Sequence, residues 1–358
     1  MLTSRFDYPL PEECIAQQPV SRREAARLLA VHRPSRSHAH RNFAKLPALL
    51  RPGDLLVLND SKVIPARLHA FKPKTGGKIE LLLCRENQTN DWWTLLRPAK
   101  RLKPGDRFEL LDRSGQTAGI TAEVIEKSQE GHVRVGFQCI HNIVNQLETL
   151  GEVPLPPYIR RDEQGPCAQD LDRYQTVYAA QAGSLAAPTA GLHYTPQILE
   201  ALRQRGVGLA FVTLHVGLGT FAPVKTEHLE DHVMHEEHFE VPAATAEALR
   251  LAQSENRRVV AAGTTSLRVL ESEAAQHGGA WSARRGSTRL FLHPPAPFQV
   301  VGALQTNFHL PQSTLLMLVS AFASPEREDG IDWMLNLYRE AVNNGYRFFS
   351  YGDTMLIE

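Results

Sequence analysis

Hydrophobic and polar positions follow two rhythms along the chain. From about Arg67 to Phe137, short β-like runs succeed one another: Lys78–Cys84, Trp92–Arg97, Arg107–Leu111, Thr117–Ile125 and His132–Phe137. Turn formers at Gly76-Gly77, Pro104-Gly105-Asp106 and Ser114-Gly115 separate them. Short strands with regular turns predict a small barrel or sandwich. Ahead of this block, a Pro-Gly turn feeds the apolar run Leu55–Leu58, a buried strand that ends on the polar pair Asn59-Asp60.

After Ile140 the rhythm becomes strand then helix. Thr195-Pro196 reads as a cap with proline at the first helical position, opening a helix over Gln197–Arg205 that stops at Gly206. A strand at Val207–Val216 follows, then a helix at Ala243–Asn256, a strand at Arg258–Ala262 and a helix at Leu267–His277. Strands at Thr288–Leu292 and Gln299–Leu304 precede helices at Ser313–Ala323 and Asp332–Asn344. Alternation of this kind predicts an α/β body with much parallel sheet. The β-rich block, residues 67–139, thus reads as inserted into, or appended before, an α/β body made of residues 1–66 and 140–358. Arg161–Gln169, charged and carrying a Gly-Pro pair, is expected to be a loop.

Composition narrows the class. The 358 residues are 42% hydrophobic and 22% charged, ordinary for a globular protein with a substantial core. The net charge is zero, so a nucleic-acid partner needs a local basic patch. The cysteines, Cys14, Cys84, Cys139 and Cys167, are scattered without CxxC spacing, which argues against a disulfide framework or thiolate zinc site and fits a reducing cytosol. No apolar run reaches membrane-spanning length and the N-terminus has no signal core, so a cytoplasmic location is expected.

The chemistry gathers at strand ends. Pro188–Tyr194, Thr213–Phe221, Gly263–Ser266 and Thr306–Pro311 combine glycine and polar residues, and three of them carry histidine. In an α/β body such residues line the ligand crevice beyond the carboxyl ends of the strands. The run His228–His238 would place His228, His232 and His235 on one face of a helix, but it lacks HExxH and leads into a strand, so it reads as an active-site loop with an acid or base rather than a metal site. There is no P-loop, no GxGxxG after a strand and no GxSxG, which excludes the corresponding nucleotide and hydrolase chemistries. Lys72, Lys74 and Lys78 form one basic group. Arg97, Lys100, Arg101, Lys103 and Arg107, near Trp92-Trp93, form a second, suited to phosphates and unpaired bases.

Taken together, these strings resemble the S-adenosylmethionine:tRNA ribosyltransferase-isomerases of queuosine biosynthesis. The resemblance runs nearly end to end. It is carried by Phe6–Pro11, Ile15–Pro19, Asn59–Leu68, Gly151–Ile159 and Arg173–Tyr178, then by Ala187–His193, Thr213–Phe221, His232–Glu237, Thr306–Leu316 and Tyr346–Asp353. One segment departs: His293–Phe298, with Pro294-Pro295, stands where the family usually shows a Pro-Gly turn.

The resemblance implies a barrel-like α/β major domain with an inserted small β-barrel, and no metal or second cofactor. It implies transfer and isomerisation of the ribosyl part of S-adenosylmethionine onto 7-aminomethyl-7-deazaguanine at the wobble position of a tRNA with a GUN-type anticodon, by a monomer. The sulfonium acidifies the ribose 5′ carbon and adenine needs a proton to leave, so the protein must supply position, acid/base groups and a dry pocket. His193, His215, His235 and His309 are the candidate acid/base residues, with Glu236 or Asp353 as carboxylate partner. Tyr194, Phe221 and Tyr351 are candidates to face the sulfonium. Thr264, Thr265, Thr306 and Ser313 are placed near ribose hydroxyls or the methionine end, and Arg268 near its carboxylate. Thr189, Gly191, Gly217, Gly219, Thr220 and Asn307 complete the expected substrate pocket. Asn59, Asp60 and Lys62 are expected near the target base, and Arg97, Lys100, Arg101 and Lys103 on RNA phosphates. A binding module that only positions tRNA, a histidine-ligated metallohydrolase and an S-adenosylmethionine-dependent methyltransferase are the rival readings. The histidine-bearing strand ends argue against the first, the missing HExxH against the second, and the missing early glycine loop against the third.

Overall fold

A computed structural model describes residues 1–100, 102–128, 131–161, 168–217 and 224–358. Its strands are β1 (Arg27–His32), β2 (Ser37–Asn42), β3 (Leu55–Asn59), β4 (Ser61–Val63), β5 (Arg67–Phe71), β6 (Lys78–Gln88), β7 (Asp91–Arg97), β8 (Arg107–Leu111), β9 (Thr117–Lys127) and β10 (Val133–Gln138). They continue as β11 (Gln181–Ser184), β12 (Gly208–Leu214), β13 (Glu237–Val241), β14 (Val259–Ala262), β15 (Arg284–Thr288), β16 (Val301–Asn307) and β17 (Thr354–Ile357). The helices are α1 (Leu46–Leu49), α2 (Leu147–Leu150), α3 (Ala168–Arg173), α4 (Pro196–Gln204), α5 (Ala243–Ser254), α6 (Thr264–His277), α7 (Thr314–Ala323) and α8 (Gly330–Asn343).

Every residue of β3 is buried. A strand reaches that state when both faces of its sheet are covered. β3 lies inside a nine-stranded mixed sheet ordered β15-β13-β12-β3-β14-β16-β17-β1-β2, in a unit made of residues 1–62, 156–160 and 173–358. The period of two sorts its side chains. Leu55 and Val57 join a cluster with Leu249 of α5, Leu267 of α6 and Leu316 and Phe322 of α7. Leu56 and Leu58 join the opposite cluster with Phe43 and with Ile198, Leu199 and Leu202 of α4. Arg258, at the entrance to β14, grips Asp54 through Nε (3.0 Å) and Nη2 (2.6 Å) and reaches Glu358 with Nη1 (2.9 Å), pinning three sheet ends together.

The second unit comprises residues 63–155 and 161–172. Its strands close into a barrel in the order β10-β7-β6-β5-β8-β9. β5 and β8 alternate half-buried and buried or exposed and buried positions, filling the interior with Leu68, Ala70, Phe108 and Leu110. The segment after β10 belongs to this unit because Arg67 and Glu152 exchange both backbone hydrogen bonds, at 3.1 and 2.8 Å.

The α/β class and the inserted β-barrel expected from sequence are both present. Differences are local. α6 starts at Thr264 rather than Leu267, because Gly263 takes φ of +91° and turns the chain from β14 straight into the helix. The expected strand Thr288–Leu292 is displaced to Arg284–Thr288, where it pairs antiparallel with β13. Half of the nine-stranded pairings are antiparallel, so the sheet is mixed rather than largely parallel. The expected loop Arg161–Gln169 falls mostly on residues 162–167, outside the described residues. Among the described residues no helix is long and apolar enough to cross a membrane.

Candidate active site

Strands β12, β3, β14 and β16 run parallel side by side. Their carboxyl ends therefore share one edge, where open α/β sheets place their ligands. Past these ends lies a cleft that is open to solvent. Residues after β14 (Gly263, Thr264, Thr265), at the end of β16 and beyond (Thr306 to Leu310), and Val216 after β12 line it. The turn Ala187–Ala190, Tyr158 and the Phe349-Ser350 pair complete the wall.

Two helices point their N-termini into this cleft. α6 opens with Thr264 and Thr265, only 7% and 8% exposed. α7 is capped by Ser313, whose Oγ accepts from the Leu316 amide at 3.2 Å and donates to the Leu310 carbonyl at 2.8 Å. Unpaired first-turn amides and the helix dipoles make this end of the cleft favourable for a carboxylate or for hydroxyl oxygens. The aromatic pair Tyr158 and Phe349, with ring centroids 4.3 Å apart, forms another part of the wall. The Tyr158 hydroxyl is fixed by Ser350 Oγ at 2.7 Å.

His309 is the histidine on this wall. Its backbone is held by Tyr338, whose hydroxyl accepts from the His309 amide (3.2 Å), and by Tyr8, whose hydroxyl donates to its carbonyl (2.5 Å). Its Nε2 lies 2.9 Å from Thr306 Oγ1. Burial pushes its pKa from 6.5 down to about 3, so the ring is neutral at pH 7. Asn307 donates through Nδ2 to the carbonyls of Phe349 (3.0 Å) and Ser350 (3.3 Å). Its Oδ1 is then the acceptor for His193 Nε2 at 3.1 Å, which places the ring proton of His193 on Nε2. Burial pushes His193 down to about 4. His193 does not line the main cleft. It lines a smaller neighbouring pocket with Arg23, Arg173 and Tyr351, and Asn307 is the bridge between the two. His215, after β12, is half-buried, its Nδ1 has no hydrogen-bond partner among the described residues, and burial followed by the His238 charge lowers its pKa.

Of the residues expected from sequence, the structure gathers Thr189, Thr264, Thr265, Thr306, Asn307, His309 and Ser313 in one cleft. Gly217 follows the cleft residue Val216, and among the described residues nothing lies within 4 Å of where its Cβ would stand. Other expected residues are not among those lining this cleft. Asn59 is fully buried and spends both ends on β12 and its neighbours, donating to Leu214 O (3.0 Å) and accepting from the Leu214 amide (3.1 Å). Asp60 accepts from Thr213 Oγ1 at 2.6 Å, and Lys62 is exposed. Asp353 braces backbone, accepting from the amides of Arg27 and Arg347 at 2.8 Å each. Arg268 makes a buried ion pair with Glu237, and Tyr194 is a core residue whose hydroxyl donates to Gln305 at 3.3 Å. Gly191 serves packing, since a Cβ there would stand 2.2 Å from the Tyr178 hydroxyl. His235 and Glu236 are exposed, and Glu236 accepts from Ser287 at 2.8 Å. The run His228–His238 is one 3₁₀ turn and extended chain leading into β13, not a helix. Gly219, Thr220, Phe221 and Arg101 lie outside the described residues. Arg97, Lys100 and Lys103 are exposed on the barrel unit. Sequence reasoning missed Tyr158 and Phe349, which lie inside quoted strings but in no periodic element.

A family profile described as queuosine biosynthesis protein matches residues 3–357. Over 356 residues the chain is 52% identical to the S-adenosylmethionine:tRNA ribosyltransferase-isomerase of Thermus thermophilus, covering 98% of each chain. It is 46% identical over 358 residues to the protein of that name from Desulforamulus reducens, covering 100% of both. The crystal structure of S-adenosylmethionine tRNA ribosyltransferase from Thermotoga maritima matches at 37% identity with a TM-score of 0.55, covering 99% of this chain and 100% of that one. With the strand-end cleft in place and full-length identity at this level, the chain belongs to the queuosine biosynthesis family of S-adenosylmethionine:tRNA ribosyltransferase-isomerases.

Proposed function

We propose that this protein transfers and isomerises the ribosyl moiety of S-adenosylmethionine onto 7-aminomethyl-7-deazaguanine at the wobble position of tRNAs with a GUN-type anticodon, releasing adenine and methionine. The observation that carries the reading is a family match along the whole chain together with a cleft at the carboxyl ends of the parallel strands. The protein works as a cytoplasmic monomer, with S-adenosylmethionine as cosubstrate and no metal or further cofactor in the reaction.

The cleft suits this cosubstrate in parts. The helix N-termini at Thr264-Thr265 and Ser313 favour the methionine carboxylate and ribose hydroxyls. The sulfonium is better placed against the faces of Tyr158 and Phe349. His309, the histidine on the cleft wall beside Thr306, is the candidate base for the proton made acidic by the sulfonium at the ribose 5′ carbon. With pKa values near 3 and 4, His309 and His193 hold no spare proton at neutral pH, so the proton that adenine needs comes from another group. His215, half-buried beside Val216 and with no partner on Nδ1 among the described residues, has its own pKa lowered by burial and then by the His238 charge, so it is a second candidate base and not that acid. The exposed Arg97, Lys100 and Lys103 supply a phosphate-binding strip for the RNA.

The test is one incubation of protein, S-adenosylmethionine and tRNA bearing 7-aminomethyl-7-deazaguanine, with free adenine quantified and the digested tRNA weighed. Adenine release with a ribosyl-derived mass gain on the wobble nucleoside supports the reading. A methyl mass gain, or tRNA binding without adenine, overturns it.

A further inference from the structure

We propose that His38, His40 and Glu340 form a binding site for a divalent transition-metal cation of the imidazole-preferring class, zinc foremost, that clips the edge strand β2 to helix α8.

The geometry comes from two simple periodicities. β2 is the last strand of the nine-stranded sheet and pairs only with β1, so its outer side is open to solvent. His38 and His40 are two residues apart on it and so project from the same face. α8 carries Glu340 over that face. Glu340 Oε1 lies 2.7 Å from His38 Nε2 and 3.3 Å from His40 Nε2, and all three ligand atoms lie within 4.8 Å of one another. Tetrahedral zinc, with bonds of roughly 2.0–2.2 Å, separates its ligands by about 3.3 Å, so side-chain rotation alone closes the set. Among the described residues this is the only group of three or more such side chains meeting that distance.

An outer partner is already in place. His40 Nδ1 lies 2.8 Å from the hydroxyl of Tyr346, whose ring is buried against Phe308 at 5.3 Å. A ring proton on Nδ1 donated to that oxygen leaves the Nε2 lone pair facing Glu340, the arrangement that orients ligating histidines. Two imidazoles and one carboxylate suit zinc, nickel or copper and not magnesium or calcium, which prefer oxygen ligands throughout. A metal in this set is bound through Nε2 of both rings, with the ring proton of His40 kept on Nδ1 toward Tyr346 and any proton on Nε2 released to solvent. The Arg27 guanidinium sits 3.7 Å over the face of the same Tyr346 ring. None of the three residues lines the cleft, so the assigned role is binding and fixation of the sheet edge, outside the transfer reaction.

The experiment uses full-length, tag-free, chelator-treated protein. Zinc is titrated by calorimetry, and cobalt is added separately to read its visible d–d bands. The wild type is expected to take up one zinc with a micromolar dissociation constant and to give cobalt bands of tetrahedral intensity. His38→Ala/His40→Ala is expected to bind at least about tenfold more weakly and to lose the bands. Glu340→Gln gives an independent second variant, and melting without metal confirms that each variant is folded. Uptake of no zinc by the wild type at about 100 μM, or the same affinity and bands in both folded variants, overturns the proposal.

Discussion

The neutrality of His309 has a consequence for stability that is measurable without any substrate. In the unfolded chain a histidine titrates near 6.5, whereas in the fold burial holds His309 neutral down to about pH 3. Between those limits the unfolded chain binds a proton that the native state refuses. Stability is therefore lost as pH falls from 6.5 toward 3, and the loss ends only below the folded value. At pH 5 the linkage relation RT ln(1 + 10^(6.5−5)) amounts to about 2 kcal/mol, against about 0.2 kcal/mol at pH 7. The result hardly depends on the folded value as long as it lies well below 5. His309→Gln keeps a polar group beside Thr306 Oγ1, 2.9 Å away in the native protein, but removes the titration. Urea unfolding at pH 7 and pH 5 is the assay. Over this interval the wild type is expected to lose about 2 kcal/mol more than the variant, because all other titrating groups are common to both. Parallel losses would refute the buried neutral ring, and with it the assignment of His309 as a base at neutral pH.

Other substitutions test the site and its frame. His309→Ala is expected to slow adenine release about 100- to 10,000-fold, while His235→Ala stays within about threefold; equal effects on turnover would contradict the placement of the two residues. Gly191→Ala would put a methyl group 2.2 Å from the Tyr178 hydroxyl and 2.8 Å from Thr176 Cγ2, and should destabilise by about 1–3 kcal/mol in urea unfolding. Asp54→Asn strips the charge from a carboxylate gripped by Arg258 through two nitrogens and is expected to cost about 3–5 kcal/mol, read in the same assay. Replacing Arg97, Lys100 and Lys103 together by alanine should lower the slope of log affinity for tRNA against log salt by roughly 2 to 3, and an unchanged slope removes that strip from the RNA contact.

Elements with strong periodicity were readable from the chain, and elements made by distant pairing were not. β3 and α4 show why the first is so: four consecutive apolar residues need cover on both faces, and Thr195-Pro196 caps a helix through a hydrogen bond from the Ile198 amide at 3.2 Å. β2, with the sequence Ser-His-Ala-His-Arg-Asn, carries no apolar stripe and is a strand only because β1 pairs with it. β17 is four residues long and gains its place from β16 on one side and β1 on the other. The same division runs through the site. Thr264, Thr306 and His309 were legible because strand ends in an α/β order converge on one edge. Asn59 and Asp353 carry the same local signal, a polar residue at a strand end or beside one. Their hydrogen bonds go to Leu214, 155 residues away, and to Arg27, 326 residues away, and no local pattern encodes those partners. A polar strand-end residue faces a ligand only if the backbone of another segment has not already satisfied it. That condition is tertiary, and it separates the cleft residues from the structural ones here.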